Sequence, residues 1–178
     1  MEQIQTTITS TAHIETPLGS MIAYASRNGI CLLAFDDLKN IANQMASLSS
    51  LAIMDIGNES NPHIDLLREE LVAYFDGSLT RFSVSLDFIG TDFQKKVWNQ
   101  LLTIPYGSTV SYLQQARAMG VESAVRAVAN ANGANKIGIV VPCHRVIGTN
   151  KTLTGYAGGL ERKRYLLDLE SPNKGLFG

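Results

Sequence analysis

Cysteine is scarce in this chain of 178 residues: there are two, Cys31 and Cys143. Histidine is nearly as rare, at His13, His63 and His144. A closed metal site takes about four ligands at regular spacing, and no C-x-x-C or H-x-x-x-H pairing occurs here. A zinc held by Cys31, His13 and His63 would lack a fourth ligand, so no metal is expected. Two cysteines in a cytosol-type chain are usually reduced, which argues against a Cys31–Cys143 disulfide. Long apolar runs are missing too, and nothing approaches the roughly 18 residues that cross a bilayer. The opening MEQIQTTITS lacks the basic and then apolar stretches of a secretory signal. There is no internal repeat and no low-complexity segment. With 45% apolar and 17% charged residues, disorder is not the expectation. These absences point to a soluble, cytoplasmic protein of one large domain or two small ones.

What is present is uneven. The net charge is −1. Residues 1–90 hold 4 Lys+Arg against 11 Asp+Glu, whereas residues 91–178 hold 11 against 5. An acidic half of −7 therefore precedes a basic half of +6. A basic half is a candidate for nucleic-acid contact, although clusters of solvated charge give the same count.

The boundary falls near Gly90. Before it the pattern is α+β. MIAYAS and ICLLAF flank Arg27-Asn28-Gly29, a hairpin signal. Asp36 and Asp37 open a predicted helix with Leu38, Ile41, Ala42, Met45 and Leu48 on one face. LAIMDI reads as a strand. Asn61-Pro62 caps a helix whose apolar face is Ile64, Leu67, Leu71, Tyr74 and Phe75, stopping at Asp76-Gly77. RFSVSLD alternates Phe82, Val84 and Leu86, as a half-buried strand does. After Gly90 the signals are helical. Thr91 and Gln94 form a capping-box pattern for a helix carrying Phe93, Val97, Leu101 and Ile104 and ending at Pro105. Ser111 and Gln114 repeat the pattern for a helix ending near Gly120. ESAVRAVANAN, residues 122–132, is a third helix. The last two flank Met119-Gly120-Val121, the layout of a helix-turn-helix. LERKRYLLDLE is the last helix.

The chemistry-bearing stretch is VVPCHRVIG, residues 140–148. Cys143 is followed by His144 and Arg145, and a thiol's pKa falls beside such cations. A Cys–His arrangement needs a third group to orient the imidazole, and Asp168 and Glu170 both qualify by position. Inert core filler is the competing reading, since most lone cysteines are that. Arg126 sits among small residues that let a helix lie against a groove. Outward-facing solvated arginine is the alternative. Tyr112 and Tyr156 read equally as core tyrosines with a polar tip, and Asn135 as a turn residue. A DNA-binding module without chemistry and a cysteine hydrolase both remain open on these residues.

IPYG, SY, RAVANAN, IVVPCHRVIG and TGYAGGL occur in that order. In this the second half, roughly residues 91–170, closely resembles the O6-alkylguanine-DNA alkyltransferases, or methylated-DNA–protein-cysteine methyltransferases. Residues 1–90 match in general layout. The resemblance implies an α+β protein. Its domain 1–90, an antiparallel sheet with helices akin to a ribonuclease-H-like remnant, supports a mainly helical domain 91–178 with a helix-turn-helix. It implies irreversible, single-turnover transfer of an alkyl group from O6-alkylguanine, and O4-alkylthymine, to Cys143 after base flipping, without a cofactor. His144 would be a water-mediated base and Glu170 its orienting partner. Asn135 would hold the turn before the site, and Tyr112 would donate to guanine N3. Arg126 would fill the gap left by the flipped base, with Tyr112, Ser111, Ala124 and Ala127 at the DNA. Arg145, Val146, Tyr156, Ala157 and Gly158 would line the base pocket. The implied partner is double-stranded DNA carrying O6-alkylguanine, bound through its minor groove by a monomer. Three positions depart from the pattern: Lys136 stands where many relatives have Pro, GTNKTLTGY lacks a glycine before Leu-Thr-Gly-Tyr, and Ala157 stands where some relatives have Ser. The last leaves space for adducts larger than methyl.

Overall fold

The computed structural model describes residues 5–39, 41–57 and 60–172, so the reading of MEQIQTTITS falls partly outside the described residues. The chain divides into two compact units, Met1–Gly90 and Thr91–Gly178.

The first unit is built on a four-stranded sheet, β1 (Thr7–Thr16), β2 (Gly19–Ser26), β3 (Ile30–Phe35) and β4 (Ile53–Met54), in the order β3-β2-β1-β4. The first three strands form an antiparallel meander, and β4 adds in parallel to β1. The predicted hairpin is present: Ser26 N–H donates to Gly29 O at 2.9 Å. A Cβ on Gly29 would stand 2.5 Å from the carbonyl oxygen of Ser85, so only glycine lets that segment approach. Every residue of β3 is buried, which requires cover on both sheet faces. Helix α1 (Ile41–Leu51) supplies Leu48 to a cluster with Ile8, Ile22, Tyr24, Cys31 and Leu32, and Leu38, Ile41 and Met45 pack against it. Helix α2 (Pro62–Phe75) packs on β1 and β2. Its cap is the predicted one: Asn61 Oδ1 accepts from His63 N–H at 2.9 Å, with Pro62 opening the helix.

Three expectations are corrected in this unit. The helix foreseen from Asp36 opens at Ile41, and Ala42 is exposed. LAIMDI yields only the two-residue β4. RFSVSLD keeps its alternation, with Val84 buried, but forms no ladder. Instead Glu70 of α2 takes its amides: Ser83 N–H donates to Oε1 at 2.8 Å and Val84 N–H to Oε2 at 3.1 Å. A carboxylate replaces the partner strand, leaving one bridge between Ile30 and Leu86. The ten-residue β1 went unread because its β-branched positions are mostly threonine, which carries little hydrophobic signal.

The second unit holds α3 (Asp92–Leu101), α4 (Tyr112–Ala118), α5 (Val125–Gly133) and α6 (Leu160–Glu170). One short parallel pair, β5 (Val110–Ser111) and β6 (Val146–Ile147), joins them. Both capping boxes close in both directions, Thr91 with Gln94 and Ser111 with Gln114. Helix α3 ends at Leu101, so Ile104 is buried from the loop rather than from the helix. Trp98 ties α3 to α5 by donating Nε1–H to Ala131 O at 2.8 Å. The foreseen helix 122–132 is a 3₁₀ turn, Glu122–Ala124, followed by α5, because Val121 offers no side-chain oxygen to cap it. Gly120 turns between α4 and that segment with φ +70°. Two buried amides join the helices: Gln115 Nε2 donates to Asn132 Oδ1 at 3.1 Å, and Asn132 Nδ2 to Gln115 Oε1 at 2.6 Å. Among the described residues no helix is long and apolar enough to cross a membrane.

The glycine missing from GTNKTLTGY has a structural counterpart. Lys151 occupies the left-handed region, φ +62°, in a turn closed by Lys151 N–H to Gly148 O at 2.9 Å. Lys151→Gly is expected to raise stability by up to about 1 kcal/mol, read as a higher midpoint in thermal unfolding. An unchanged or lower midpoint would show that the turn holds no strain.

Candidate active site

Cys143 begins a 3₁₀ turn, Cys143–Arg145, at the end of a segment from Ile137 that is buried apart from the half-buried Gly138. The approach is bent. Ile139, a buried β-branched residue, has φ +68°, a conformation that costs of order 1–3 kcal/mol and persists only where its surroundings hold it. Val141 N–H bonds Ile137 O at 3.0 Å and Cys143 N–H bonds Val141 O at 2.8 Å. Asn135, just beyond α5, is the clamp. Its Oδ1 accepts from Ile137 N–H at 3.0 Å, while Nδ2 donates to Val141 O at 2.9 Å and to Cys143 Sγ at 3.3 Å. The end of α5 and the thiol are thereby joined through one side chain.

Burial pushes the Cys143 thiol above its ordinary value. The Asn135 amide, the Lys163 charge and the amides of residues 143 and 144 pull the other way. The resting group is a thiol surrounded by donors that would favour its thiolate. Cys31 has no such setting: burial, then the charge of Asp87, take it up to about 11. Both cysteines are free.

His144 is fully buried, and its Nε2 lies 2.8 Å from Glu170 Oε1. Of the two acids proposed from sequence, Glu170 is the partner. Burial lowers the His144 pKa, against the opposing pull of Glu170, so the ring is neutral. Because an ionised carboxylate only accepts, Nε2 carries the proton. Nδ1 is then a bare lone pair, buried and without a protein partner. Glu170 would be raised by burial, but hydrogen bonds from His144 and Arg145, with the Arg145 charge and that of His144 once acid protonates it, bring it down to about 2.

Arg145, expected in the base pocket, is placed elsewhere. Its Nε and Nη2 donate to the two oxygens of Glu170 at 2.8 and 2.9 Å, and Nη1 donates to Ile104 O at 2.6 Å. It also lies over the Tyr106 ring, 5.8 Å from its centroid. Tyr106 O–H donates to Leu169 O, and Gly107 N–H to Glu170 Oε2 at 3.3 Å. Gly107 has φ +74°, and a Cβ there would stand 2.8 Å from Glu170 O. Val146 is buried in β6.

The segment 148–159 closes one side. The half-buried Tyr112 donates its hydroxyl to Thr154 O (3.2 Å) and Gly155 O (3.3 Å). The Tyr156 ring stands edge-on to His144 at 6.5 Å and leans on Gly158, where a Cβ would meet it at 2.6 Å. Burial, then the nearness of Cys143, raises the pKa of both tyrosines. Ala157 is exposed. Lys163 of α6, missed from sequence, is fully buried and donates to the carbonyls of Val146, Thr154 and Gly155. Burial takes its pKa down to about 8. In ERKRY it looks like any solvated helix charge. Arg126 and Ala127 are exposed on α5, Ala124 lies on the preceding 3₁₀ turn, and Ser111 caps α4. No hydrogen bond links these four to Cys143. No group of three His, Cys, Asp or Glu among the described residues could hold a metal ion.

A buried cysteine, clamped to the end of a helix-turn-helix and followed by a His–Glu pair, defines a class of thiol-centred proteins. Comparison narrows it. Residues 10–88 match the family model of the 6-O-methylguanine DNA methyltransferase ribonuclease-like domain, and residues 92–172 that of its DNA binding domain. A methylated-DNA–protein-cysteine methyltransferase of Methanosarcina acetivorans is 41% identical over 159 residues, 89% of this chain and 96% of that protein. One from Mycobacterium tuberculosis is 60% identical over 102 residues, 57% of this chain. That alignment spans 62% of the mycobacterial protein's length. The crystal structure of Mycobacterium tuberculosis OGT in complex with DNA superposes with a TM-score of 0.78 at 39% identity, covering 94% of this chain and 96% of that one. The chain belongs to the methylated-DNA–protein-cysteine methyltransferase family, and the expected α+β fold is borne out.

Proposed function

We propose that this protein repairs DNA by moving an alkyl group from O6-alkylguanine, and O4-alkylthymine, onto Cys143, once per molecule. The observation that carries the reading is a Cys143 sulfur held by the Asn135 amide and followed directly in the chain by a His144 that is paired with Glu170 and has Nδ1 unpartnered. Displacement at an alkyl carbon needs a polarisable nucleophile and a leaving oxygen that can be neutralised. The Sγ–C bond forms as C–O6 breaks, the thiol proton passes through a water to His144 Nδ1, and the guanine anion left behind takes that proton at N1, by way of solvent, to reach its keto form. Tyr112 assists by donating at N3. The thioether has no route back, so turnover stops.

A base inside a duplex must be flipped out to meet the sulfur. We assign α5 to the minor groove, with Ala124 and Ala127 allowing close approach and Ser111 and Tyr112 at the backbone. Arg126 occupies the vacated stack, an insertion that minor-groove proteins use. Val146, Tyr156, Ala157 and Gly158 face the flipped base, and Ala157 leaves room for adducts beyond methyl. The protein acts as a monomer.

The test is a duplex oligonucleotide with one O6-methylguanine. Protein mass should rise by one CH2 per chain in a single burst. Repeated turnover would favour a hydrolase, and no mass gain would leave only a binding protein. Flipping costs a few kcal/mol, so Arg126→Ala is expected to slow transfer from duplex by roughly tenfold to a hundredfold, with a smaller loss on single strands. Equal losses on both would remove the arginine from the flipping step.

A further inference from the structure

We propose that Arg145 is a positioning residue that sets the basicity of His144 by occupying the carboxylate on which His144 depends. The inference rests on the reading of Cys143 as alkyl acceptor and of His144 as its base. Among the described residues Glu170 accepts hydrogen bonds from His144 Nε2 and Arg145 Nη2 on Oε1, and from Arg145 Nε and Gly107 N–H on Oε2. A carboxylate offers about four lone-pair sites, and Arg145 occupies one on each oxygen. His144 and Arg145 meet on the same oxygen.

The guanidinium is held on every side. Its remaining Nη1 donates to Ile104 O, Tyr106 lies under it, and Arg145 is buried. In such a dry site a fixed charge acts strongly on its neighbours. A lone carboxylate 2.8 Å from Nε2 would draw a second proton onto the imidazole, and the fixed cation opposes that. The other groups acting on His144 are known. Lys163 of α6 also opposes protonation, but its donors are spent on the carbonyls of Val146, Thr154 and Gly155. Cys143 precedes His144 on its own turn, and Tyr156 presents a ring edge. Arg145 is therefore the cation seated on the carboxylate itself. Its consequence is a resting pair of thiol and neutral imidazole, with Nδ1 free to take the proton when the alkyl group arrives.

The experiment measures single-turnover transfer from O6-methylguanine duplex across pH, together with NMR titration of the His144 ring. In Arg145→Gln the acid limb of the rate profile and the His144 titration should both move up by roughly half to one pH unit. In Arg145→Lys, which keeps the charge, both should stay near the wild-type position even where the rate falls. If both variants lose rate by the same factor at every pH, with the titration unmoved, Arg145 only supports the fold and the proposal fails. If Arg145→Gln does not fold, the neutral Arg145→Met takes its place: an upward shift of the His144 titration that Arg145→Lys does not share supports the proposal, and an unmoved titration overturns it. If wild-type protein transfers no alkyl group, the proposed function fails while the NMR comparison still judges Arg145.

Discussion

Replacing Cys143 by serine is expected to abolish alkyl uptake from O6-methylguanine duplex, with no mass gain at any time point. Wild-type protein should gain one CH2 on the peptide that contains Cys143. The physical basis is the difference between the two nucleophiles. Sulfur is polarisable, and its thiolate lies within reach of the surrounding donors, namely the Asn135 amide and the backbone amides of residues 143 and 144. A serine hydroxyl in the same place fits the space, but no donor set of this size brings it to an alkoxide at neutral pH. Cys31 is the internal control. It is buried in β3 with its pKa pushed up to about 11 by burial, so it should stay unmodified in both proteins. Label on Cys31, or residual label in the serine protein, would overturn the assignment of the acceptor.

Local chemistry explains which parts of this molecule were legible in its sequence. The capping residues Thr91, Ser111 and Asn61 act on amides two or three positions away, so their helices could be read from short patterns. The Asn28-Gly29 hairpin is likewise a local device. What failed depended on distant partners. Whether RFSVSLD becomes a strand is decided by Glu70, more than ten residues upstream, which takes the amides that a neighbouring strand would need. The same holds at the site. Cys143, His144 and Asn135 lie close in sequence and their relation could be guessed. The choice of Glu170 over Asp168 turns on which face of α6 meets the imidazole. Arg145 sits beside His144 and was assigned to the base pocket, yet its fork fits the Glu170 carboxylate. Lys163 and Gly107 carry no local mark at all: one looks like a solvated charge, the other like an ordinary turn glycine.

Glu170→Gln is expected to lower stability by about 3 kcal/mol at pH 7, and the deficit should shrink in acid. Burial alone would raise the Glu170 pKa, but His144 and Arg145 depress it from 4.5 to about 2. A depressed carboxylate pKa stabilises the folded state above the unfolded-state value, and that contribution is lost as pH falls through the folded-state value. The window is therefore from about pH 5 down to pH 2. Within it wild-type protein should lose stability faster than the glutamine protein, and the two denaturation midpoints should converge. Glutamine is nearly the same size, so packing changes little, but Arg145 is left buried without its counter-charge. Transfer should slow as well, by about a hundredfold, because an amide does not hold the His144 ring in the Nε2–H tautomer as a carboxylate does. Urea denaturation at pH 7 and at pH 3, beside single-turnover rates, measures both. Parallel pH dependence in the two proteins would mean that the Glu170 carboxylate is not the ionised group on which His144 and Arg145 converge.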